Sequence, residues 1–171
     1  MKPLAPFLLV GALLGGCSNS DVSTPERATF DSESSTGPIA TFADEDVEMN
    51  LAVRAAQRDV AVFRERLLHP TPTQRIGLKG QFGEGDHVEH MWISNPRVEG
   101  DGFSGILANE PGYLRTPKLG DPVTIDVRHV SDWYVHDDGK LQGAFTLRVM
   151  RKRLTEEDRK IFDEANGFVA E

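Results

Sequence analysis

The chain has little cysteine, an excess of acidic over basic residues, and no apolar run long enough to span a membrane. Cys17 is the only cysteine among 171 residues, so an internal disulfide is excluded. If its thiol is acylated, the chain also has no thiolate nucleophile and no cysteine ligand for a metal. The longest apolar run, residues 3–14, is shorter than the roughly 20 residues that a membrane-spanning helix needs.

The N-terminus nevertheless has the pattern of an export signal. Lys2 supplies a positive charge, residues 3–14 supply an apolar segment, and Leu14-Gly15-Gly16-Cys17 follows. That tetrapeptide resembles the lipobox of bacterial lipoproteins, in which small residues precede the cleaved bond and the cysteine carries diacylglycerol and palmitate-type acyl chains. We therefore predict a signal peptide over residues 1–16 and lipidation of Cys17. An ordinary secretory peptide with a chance cysteine is the alternative.

The residues around the anchor predict a location in the bacterial cell envelope. Ser18, and not an aspartate, follows Cys17, which in lipoprotein sorting of the enterobacterial type favours the outer membrane, facing the periplasm. The chain has 27 acidic and 19 basic residues, a formal charge of −8. Such a charge repels nucleic acids and anionic lipid headgroups alike. We expect no nucleic-acid partner, and a membrane contact made through the lipid anchor.

Residues 17–43 are predicted to form a disordered acidic tether. Polar and acidic residues dominate the segment, so it cannot bury enough apolar surface to offset the entropy of ordering. Repulsion between its charges would keep it extended and hold the folded part away from the membrane. We expect that folded part over residues 44–154, followed by a C-terminal helix and tail over residues 155–171.

The folded part begins with a predicted amphipathic helix. Acidic residues crowd its start from Asp44, Arg64 and Arg66 lie in its last turn, and Pro70 ends it. Its apolar stripe, spaced by three and four residues, comprises Met49, Val53, Ala56, Val60, Phe63 and Leu67. We assign this stripe to the core.

Alternating apolar and polar residues then predict five or six strands. They cover Ile76 to Phe82, His87 to Ser94, Phe103 to Ala108, Val123 to Val127, and a hairpin of residues 132–136 and 141–150 that turns at Asp137-Asp138-Gly139. A short helix follows from Thr155 to Asn166-Gly167. The prediction is an α+β fold, in which the N-terminal helix packs on a curved antiparallel sheet or a small barrel.

Several motifs occur in a characteristic order and spacing. They are Glu89-His90-Met91-Trp92, Asn109-Glu110-Pro111, Lys118-Leu119-Gly120-Asp121, Ser131-Asp132-Trp133 and the segment from Gly143 to Arg148. Together, over residues 47–151, they resemble the YegJ-like family, a bacterial domain of unknown function (2314). The resemblance implies a compact α+β domain, often secreted or lipid-anchored, with no established activity.

The histidines do not support a metal site. His87 and Glu89 would share one face of a strand and His90 would point to the other, so the three cannot form one ligand set. His129 and His136 would add ligands only if the fold brought them close. We therefore expect no metal and no cofactor.

Acid–base chemistry is the second possibility. Glu89, His90, Glu110 and Asp132 could gather if their strands were neighbours, and a histidine–carboxylate pair is a plausible general base. The structural alternative is that these carboxylates satisfy turns and backbone amides. We leave open whether the protein is an enzyme and favour a non-enzymatic role.

The remaining polar and aromatic residues suggest a binding surface. Its predicted members are Glu89, His90, Trp92, Asn109, Glu110, Asp132, Trp133 and Arg148. The favoured function is a membrane-tethered binding or accessory module with a protein partner. One alternative is an immunity-type inhibitor of an extracytoplasmic toxin, to which the negative charge would steer a basic partner. Another is a small cell-envelope hydrolase that uses Glu89, His90 and Asp132.

Overall fold

The computed structural model describes residues 46–84 and 87–171. The predicted signal peptide, Cys17 and the tether of residues 17–43 lie outside that part. Within the part described, no helix is both long and apolar enough to cross a membrane. The elements of residues 46–84 and 87–171 comprise four helices, six strands and a 3-10 turn at Val127–His129.

The predicted N-terminal helix is present, but as two consecutive helices. α1 spans Val47–Arg58 and α2 spans Val60–Leu68, with Asp59 between them outside helical geometry. Asp46 caps α1, because its carboxylate accepts a hydrogen bond from the Met49 amide at 3.0 Å. The predicted stripe faces the core: Met49, Ala56 and Phe63 are all buried.

The six strands form one antiparallel sheet. They are β1 (Arg75–Glu84), β2 (His87–Glu99), β3 (Gly102–Leu107), β4 (Pro122–Ile125), β5 (Val130–Asp137) and β6 (Lys140–Gly143), in the spatial order β4-β3-β2-β1-β5-β6. The sheet is open, with β4 and β6 at its edges, so the predicted α+β sheet is confirmed in its open form and not as a barrel. Asp138 and Gly139 have positive φ at the predicted β5–β6 turn.

Residues 145–150 are the main error of the strand prediction. They belong to helix α3 (Phe145–Arg153), and the last strand ends at Gly143. Gly143 and Ala144 both have positive φ, at 72° and 59°, which turns the chain out of the sheet. The carboxylate of Asp132 then accepts the Phe145 and Thr146 amides, at 3.0 and 2.9 Å. A long-range cap therefore overrides the local alternation of apolar residues.

The C-terminal helix follows the prediction closely. α4 spans Glu156–Asn166, the Thr155 hydroxyl accepts the Asp158 amide at 3.2 Å, and Gly167 ends the helix with a φ of 67°. The tail beyond it belongs to the core, since Phe168 and Ala170 are buried against Tyr134.

The sheet lies between two apolar layers. Leu78, Ile93 and Trp133 are register partners and share one face, which we call the N-terminal face because Ala56 of α1 and Phe63 of α2 cover it. The opposite face carries Lys79, Trp92, Asp132 and Tyr134. We call this the C-terminal face, because residues of α3, α4 and the tail, including Leu147, Phe162 and Phe168, pack against Tyr134 and Trp92.

A glycine adjusts the register at the centre of the sheet. The β1–β5 pairing shifts between Lys79 and Gly80, and a glycine inside a strand is a common site of such a bulge. A Cβ atom on Gly80 would approach the terminal methyl of Ile125 to 2.9 Å, so a larger residue would require that side chain to shift. This bulge places Lys79 directly opposite Asp132 on one side and Trp92 on the other.

Candidate functional site

Glu89 is a buried carboxylate that holds a loop. It lies on β2 with 6 % exposure and projects from the N-terminal face, opposite Phe82 of β1. Its Oε2 atom accepts the Gly112 amide at 2.7 Å, and Oε1 accepts the Tyr113 and Leu114 amides, each at 2.6 Å. Three consecutive backbone donors therefore satisfy one buried charge.

The same loop is fixed at both ends. Asn109 Oδ1 accepts the Trp92 amide at 2.7 Å, and Trp92 in turn accepts the Ala108 amide at 2.8 Å. At the other end, the Gly120 amide donates to the Leu107 carbonyl at 3.0 Å, and the Asp121 carbonyl accepts the Leu107 amide at 2.9 Å. We call residues 109–121 the Glu89 loop. It is tied to β2 by the Asn109 side chain and by its central amides, and to β3 at its last two residues.

The Glu89 loop presents exposed side chains around its fixed backbone. Tyr113 is 71 % exposed and Leu119 is 55 % exposed. The charged side chains Glu110, Arg115 and Lys118 are exposed as well. Within residues 46–84 and 87–171, no hydrogen bond or ion pair engages the Glu110 carboxylate, so of the two predicted glutamates only Glu89 is structural.

Asp132 is the second buried carboxylate, on the C-terminal face. It is fully buried, and its Oδ1 accepts the Trp133 and Phe145 amides at 2.8 and 3.0 Å. Its Oδ2 accepts the Thr146 amide at 2.9 Å and the Thr146 hydroxyl at 2.5 Å. Burial raises the pKa of Asp132, while the Thr146 hydrogen bond and the charge of Lys79 oppose that rise.

Lys79 faces Asp132 across the β1–β5 ladder and is itself only 7 % exposed. Its Nζ lies 5.5 Å from the centroid of the Trp92 ring, over the ring face. Burial lowers the pKa of Lys79, and the charge of Asp132 partly offsets this. The C-terminal face therefore contains a lysine and an aspartate in the same buried layer.

His90 belongs to the same face as Lys79 and not to that of Glu89. It is exposed at the residue level, yet partial desolvation and the positive charge of Lys79 lower the pKa of His90 to about 4. The imidazole is therefore neutral at pH 7. Trp92 lies beside it, half-buried, with its ring 5.7 Å from that of Tyr134.

The eight predicted surface residues do not form one surface. Glu89, Asp132 and Trp133 are buried, and the Trp133 indole donates to the Ala56 carbonyl at 3.0 Å, so including these three in an exposed surface was wrong. Asn109 is a loop anchor, and Arg148 Nε donates to the Gly143 carbonyl at 3.1 Å. Of the remaining three residues, His90 and Trp92 lie together on the C-terminal face, and Glu110 lies in the Glu89 loop.

The three residues of the hydrolase alternative are also separated. Glu89 projects from the N-terminal face, whereas His90 and Asp132 belong to the C-terminal face. The oxygens of both carboxylates accept hydrogen bonds from backbone amides of the fold, and those of Asp132 also accept from a hydroxyl. A general base needs a lone pair directed at substrate, and neither carboxylate has this arrangement.

In the part of the chain that the structure describes, no cluster of three metal-ligating side chains is present. His136 Nδ1 lies 2.9 Å from Arg75 Nη2, and His129 lies in the 3-10 turn after β4. These histidines do not converge.

A comparison with known protein families decides the relationship that the motifs suggested. A family model described as "Uncharacterized protein conserved in bacteria (DUF2314)" matches residues 46–169. The chain belongs to this family. The match begins where the described part of the chain begins and extends through α4, so the helices on both faces of the sheet are parts of a DUF2314 domain.

Two curated proteins are similar to this DUF2314 domain. A Neisseria meningitidis serogroup B protein named for ankyrin repeats is 40 % identical over 89 residues, which are 52 % of this chain and 35 % of that protein. The uncharacterised protein YegJ of Escherichia coli K12 is 22 % identical over 99 residues, 58 % of this chain and 64 % of YegJ. The chain thus spans less than two thirds of either relative. No solved structure matches it.

The sequence did not predict two features of this DUF2314 domain: the burial of Lys79 and the three loop amides that bind Glu89. The alternation in β1 assigns Lys79 to the polar side of the strand, and no local signal shows that α3 and the tail cover that side. The amides of Gly112, Tyr113 and Leu114 carry no side-chain signature. An acidic residue on the apolar side of β2 was the one available sign that Glu89 is a buried acceptor.

Proposed function

We propose that this DUF2314 protein is a lipid-anchored envelope protein whose domain binds a protein partner through the Glu89 loop. The observation that carries the binding role is the set of three hydrogen bonds, 2.6–2.7 Å long, from consecutive loop amides to the buried Glu89 carboxylate. The arrangement holds an exposed aromatic side chain, Tyr113, on a rigid backbone.

Preorganisation is the physical reason that such a loop suits binding. A flexible loop loses conformational entropy when a partner orders it, whereas a loop that is already fixed does not. Tyrosine is common at binding hot spots, because it offers a large contact area with few rotatable bonds and a polar hydroxyl. Tyr113 combines both features at 71 % exposure.

The charge of the loop does not select the partner. Glu110 and Asp121 are balanced by Arg115 and Lys118, although the whole chain carries −8. An immunity-type inhibitor of a basic toxin is one version of the proposal, and the charge of the chain favours it through electrostatic steering. The contact itself would rest on Tyr113 and the apolar Leu119.

The relationship to a longer protein supports a modular role. The similar 89-residue segment makes up 35 % of the Neisseria protein named for ankyrin repeats. A domain that recurs beside different sequence is suited to be an attached interaction module. A hydrolytic role has less support, because Glu89 and Asp132 lie on opposite faces and each accepts at least three hydrogen bonds from the fold.

Affinity capture from envelope extracts tests the binding proposal. The full-length protein and Tyr113→Ala would be compared with Leu51→Ala, which removes an apolar side chain of 57 % exposure from α1. We expect Tyr113→Ala to reduce capture of a partner about tenfold or more, and Leu51→Ala to leave it unchanged. Equal capture by all three proteins would contradict the role of the loop.

The lipid anchor is tested separately with Cys17→Ser. If the proposal holds, the native protein is labelled by an alkyne fatty acid and sediments with membranes, whereas Cys17→Ser is unlabelled and soluble after export. Labelling that persists in Cys17→Ser would contradict the anchor without affecting the binding proposal.

A further inference from the structure

The C-terminal face carries an open groove over β2, β3 and β4. The helices α3 and α4 and the tail pack against Trp92 and Tyr134, and within residues 46–84 and 87–171 no residue of β3 or β4 belongs to the apolar clusters that they form. This part of the sheet is therefore left uncovered. The groove there has a volume of about 460 Å³, which is within the range of sites for small molecules.

The side chains of the groove are arranged in three rows that cross the strands. Register partners in a sheet share one face, and rows two residues apart along a strand are separated by about 7 Å. In order along the strands, the rows consist of Glu99, then Arg97 with Ser104 and Thr124, then Ile106 with Pro122. The groove thus has an acidic row, a row of hydrogen-bond donors and an apolar row.

A β-bulge shapes the groove between the second and third rows. The β2–β3 register shifts between Ser94 and Arg97. Asn95 and Pro96 therefore lie together opposite Gly105, and Asn95 has a positive φ of 50°. A Cβ atom on Gly105 would approach the Ser94 carbonyl oxygen to 2.7 Å, so the close approach of the strands needs a glycine. The bulge buries Pro96 and leaves Asn95 exposed at the groove, as bulges beside binding sites redirect side chains.

The polar side chains of the groove are not engaged by the fold. Within residues 46–84 and 87–171, no hydrogen bond or ion pair is formed by the side chains of Asn95, Arg97, Glu99, Ser104 or Thr124. Most arginines of the domain, in contrast, donate to a carboxylate or a carbonyl group. The five N–H donors of Arg97 therefore remain available to a ligand.

We propose that this groove binds a small organic monocarboxylate, with its carboxylate on Arg97 and its apolar chain along Ile106 and Pro122. A guanidinium group matches a carboxylate in geometry and binds it through two parallel hydrogen bonds. The Ser104 hydroxyl lies directly beside Arg97 in the same row and supplies a further donor. The apolar row then covers the carbon chain on the side away from Glu99.

Glu99 limits the ligand to one negative charge. Its exposed carboxylate lies in the row next to Arg97 and would repel a second carboxylate on the ligand. The formal charge of −8 on the whole chain also disfavours polyanions. The groove is on the opposite face of the sheet from Glu89, so the proposal does not depend on binding by the Glu89 loop.

A nuclear magnetic resonance titration of the isotope-labelled full-length protein tests the proposal. The probe is sodium pentanoate, and sodium chloride at the same ionic strength is the reference. We expect saturable shifts of the Ser104 and Thr124 amides, with a dissociation constant on the order of 1 mM, because so small a ligand makes few contacts. The Tyr113 amide, in the Glu89 loop, should not shift. Absence of saturation well above that concentration, or saturation confined to amides outside the groove, would overturn the proposal.

Two arginine variants separate a specific site from general ionic attraction. Arg97→Gln should weaken pentanoate binding about tenfold, because the hydrogen bonds to a charged group are lost. Arg115→Gln removes another exposed arginine that has no partner in the described part of the chain, and it should leave the affinity unchanged. Equal affinities of the native protein and Arg97→Gln, or equal losses in the two variants, would contradict the site.

Glutarate tests the selectivity for one negative charge. It has the same five carbons as pentanoate and a second carboxylate, so the native protein should bind it several-fold more weakly. Glu99→Gln should reduce this difference, because the repelling charge is removed. Binding of glutarate as tight as that of pentanoate would overturn the assignment to monocarboxylates. An unchanged ratio in Glu99→Gln would overturn the role of Glu99.

Discussion

Glu89 and Asp132 are two buried carboxylates on opposite faces of one sheet. Each needs hydrogen-bond donors that replace the water it has lost. Each accepts three backbone amides, and Asp132 also accepts the Thr146 hydroxyl. The donors differ in what they belong to. Those of Glu89 lie in an exposed loop, whereas most of those of Asp132 begin the helix that covers the C-terminal face.

This difference indicates that Asp132 stabilises the fold, whereas Glu89 stabilises an exposed loop. Asp132 is fully buried and faces Lys79, so removing its charge leaves a buried cation without its opposite charge. Glu89 is 6 % exposed, and the loop amides that it accepts would hydrogen-bond to water if the loop opened. We expect the Asp132 cluster to unfold with the whole domain and the Glu89 loop to open by itself.

The largest effect is expected from Asp132→Asn. The amide keeps the shape but places an NH₂ group against backbone donors and removes the charge opposite Lys79. We expect the free energy of unfolding, measured by urea denaturation, to fall by about 3 kcal/mol, because several buried donors lose their acceptor.

The matched control for that prediction is Asp126→Asn. Asp126 also accepts a backbone amide, from Arg128 at 2.8 Å, but it is on the surface. We expect this variant to lose much less stability than Asp132→Asn, because water can replace the partners of an exposed carboxylate. Equal losses in the two variants would mean that burial and the facing lysine add nothing to the role of Asp132.

Glu89→Gln should have a smaller and more local effect. One of its terminal atoms becomes a donor and faces an amide donor of Gly112, Tyr113 or Leu114. We expect the free energy of unfolding to fall by about 2 kcal/mol. Hydrogen exchange at these three amides should accelerate more than exchange in β1.

Glu110→Gln is the control within the same loop, because its carboxylate is exposed. Its cost should stay below about 0.5 kcal/mol, with loop exchange unchanged. If Glu89→Gln left the three amides as protected as in the native protein, the loop would owe its order to contacts other than Glu89, and the preorganisation argument would fail.

The sequence predicted the elements whose signals are local. Period-two patterns placed β1 and β5, and the Thr155 cap and Gly167 placed α4, because each signal lies within the element itself. α3 was missed because its start depends on Asp132, which is 13 residues away from Phe145. The site was missed for the same reason: the roles of Glu89 and Lys79 depend on segments that come together only in the folded chain.

The smallest predicted effect concerns His90, which is next to Glu89 in sequence but lies on the other face. Its pKa is lowered from 6.5 to about 4 in the folded protein, so between these values the unfolded chain binds more protons than the folded one. Stability should therefore fall as pH falls through this window. Because the residue is exposed and solvent screens its charge, we expect a loss of about 1 kcal/mol between pH 7 and pH 5.

His90→Gln should flatten that part of the stability profile. The measurement stays above pH 5 to exclude the carboxylates with lowered pKa values. Cationic partners lower the pKa values of Asp46, Glu48 and Asp126, so these groups lose their stabilising contributions only in more acidic solution. A steep slope that persists in His90→Gln would assign the pH dependence to other groups. The stability measurements would then not support a neutral His90 imidazole beside Lys79.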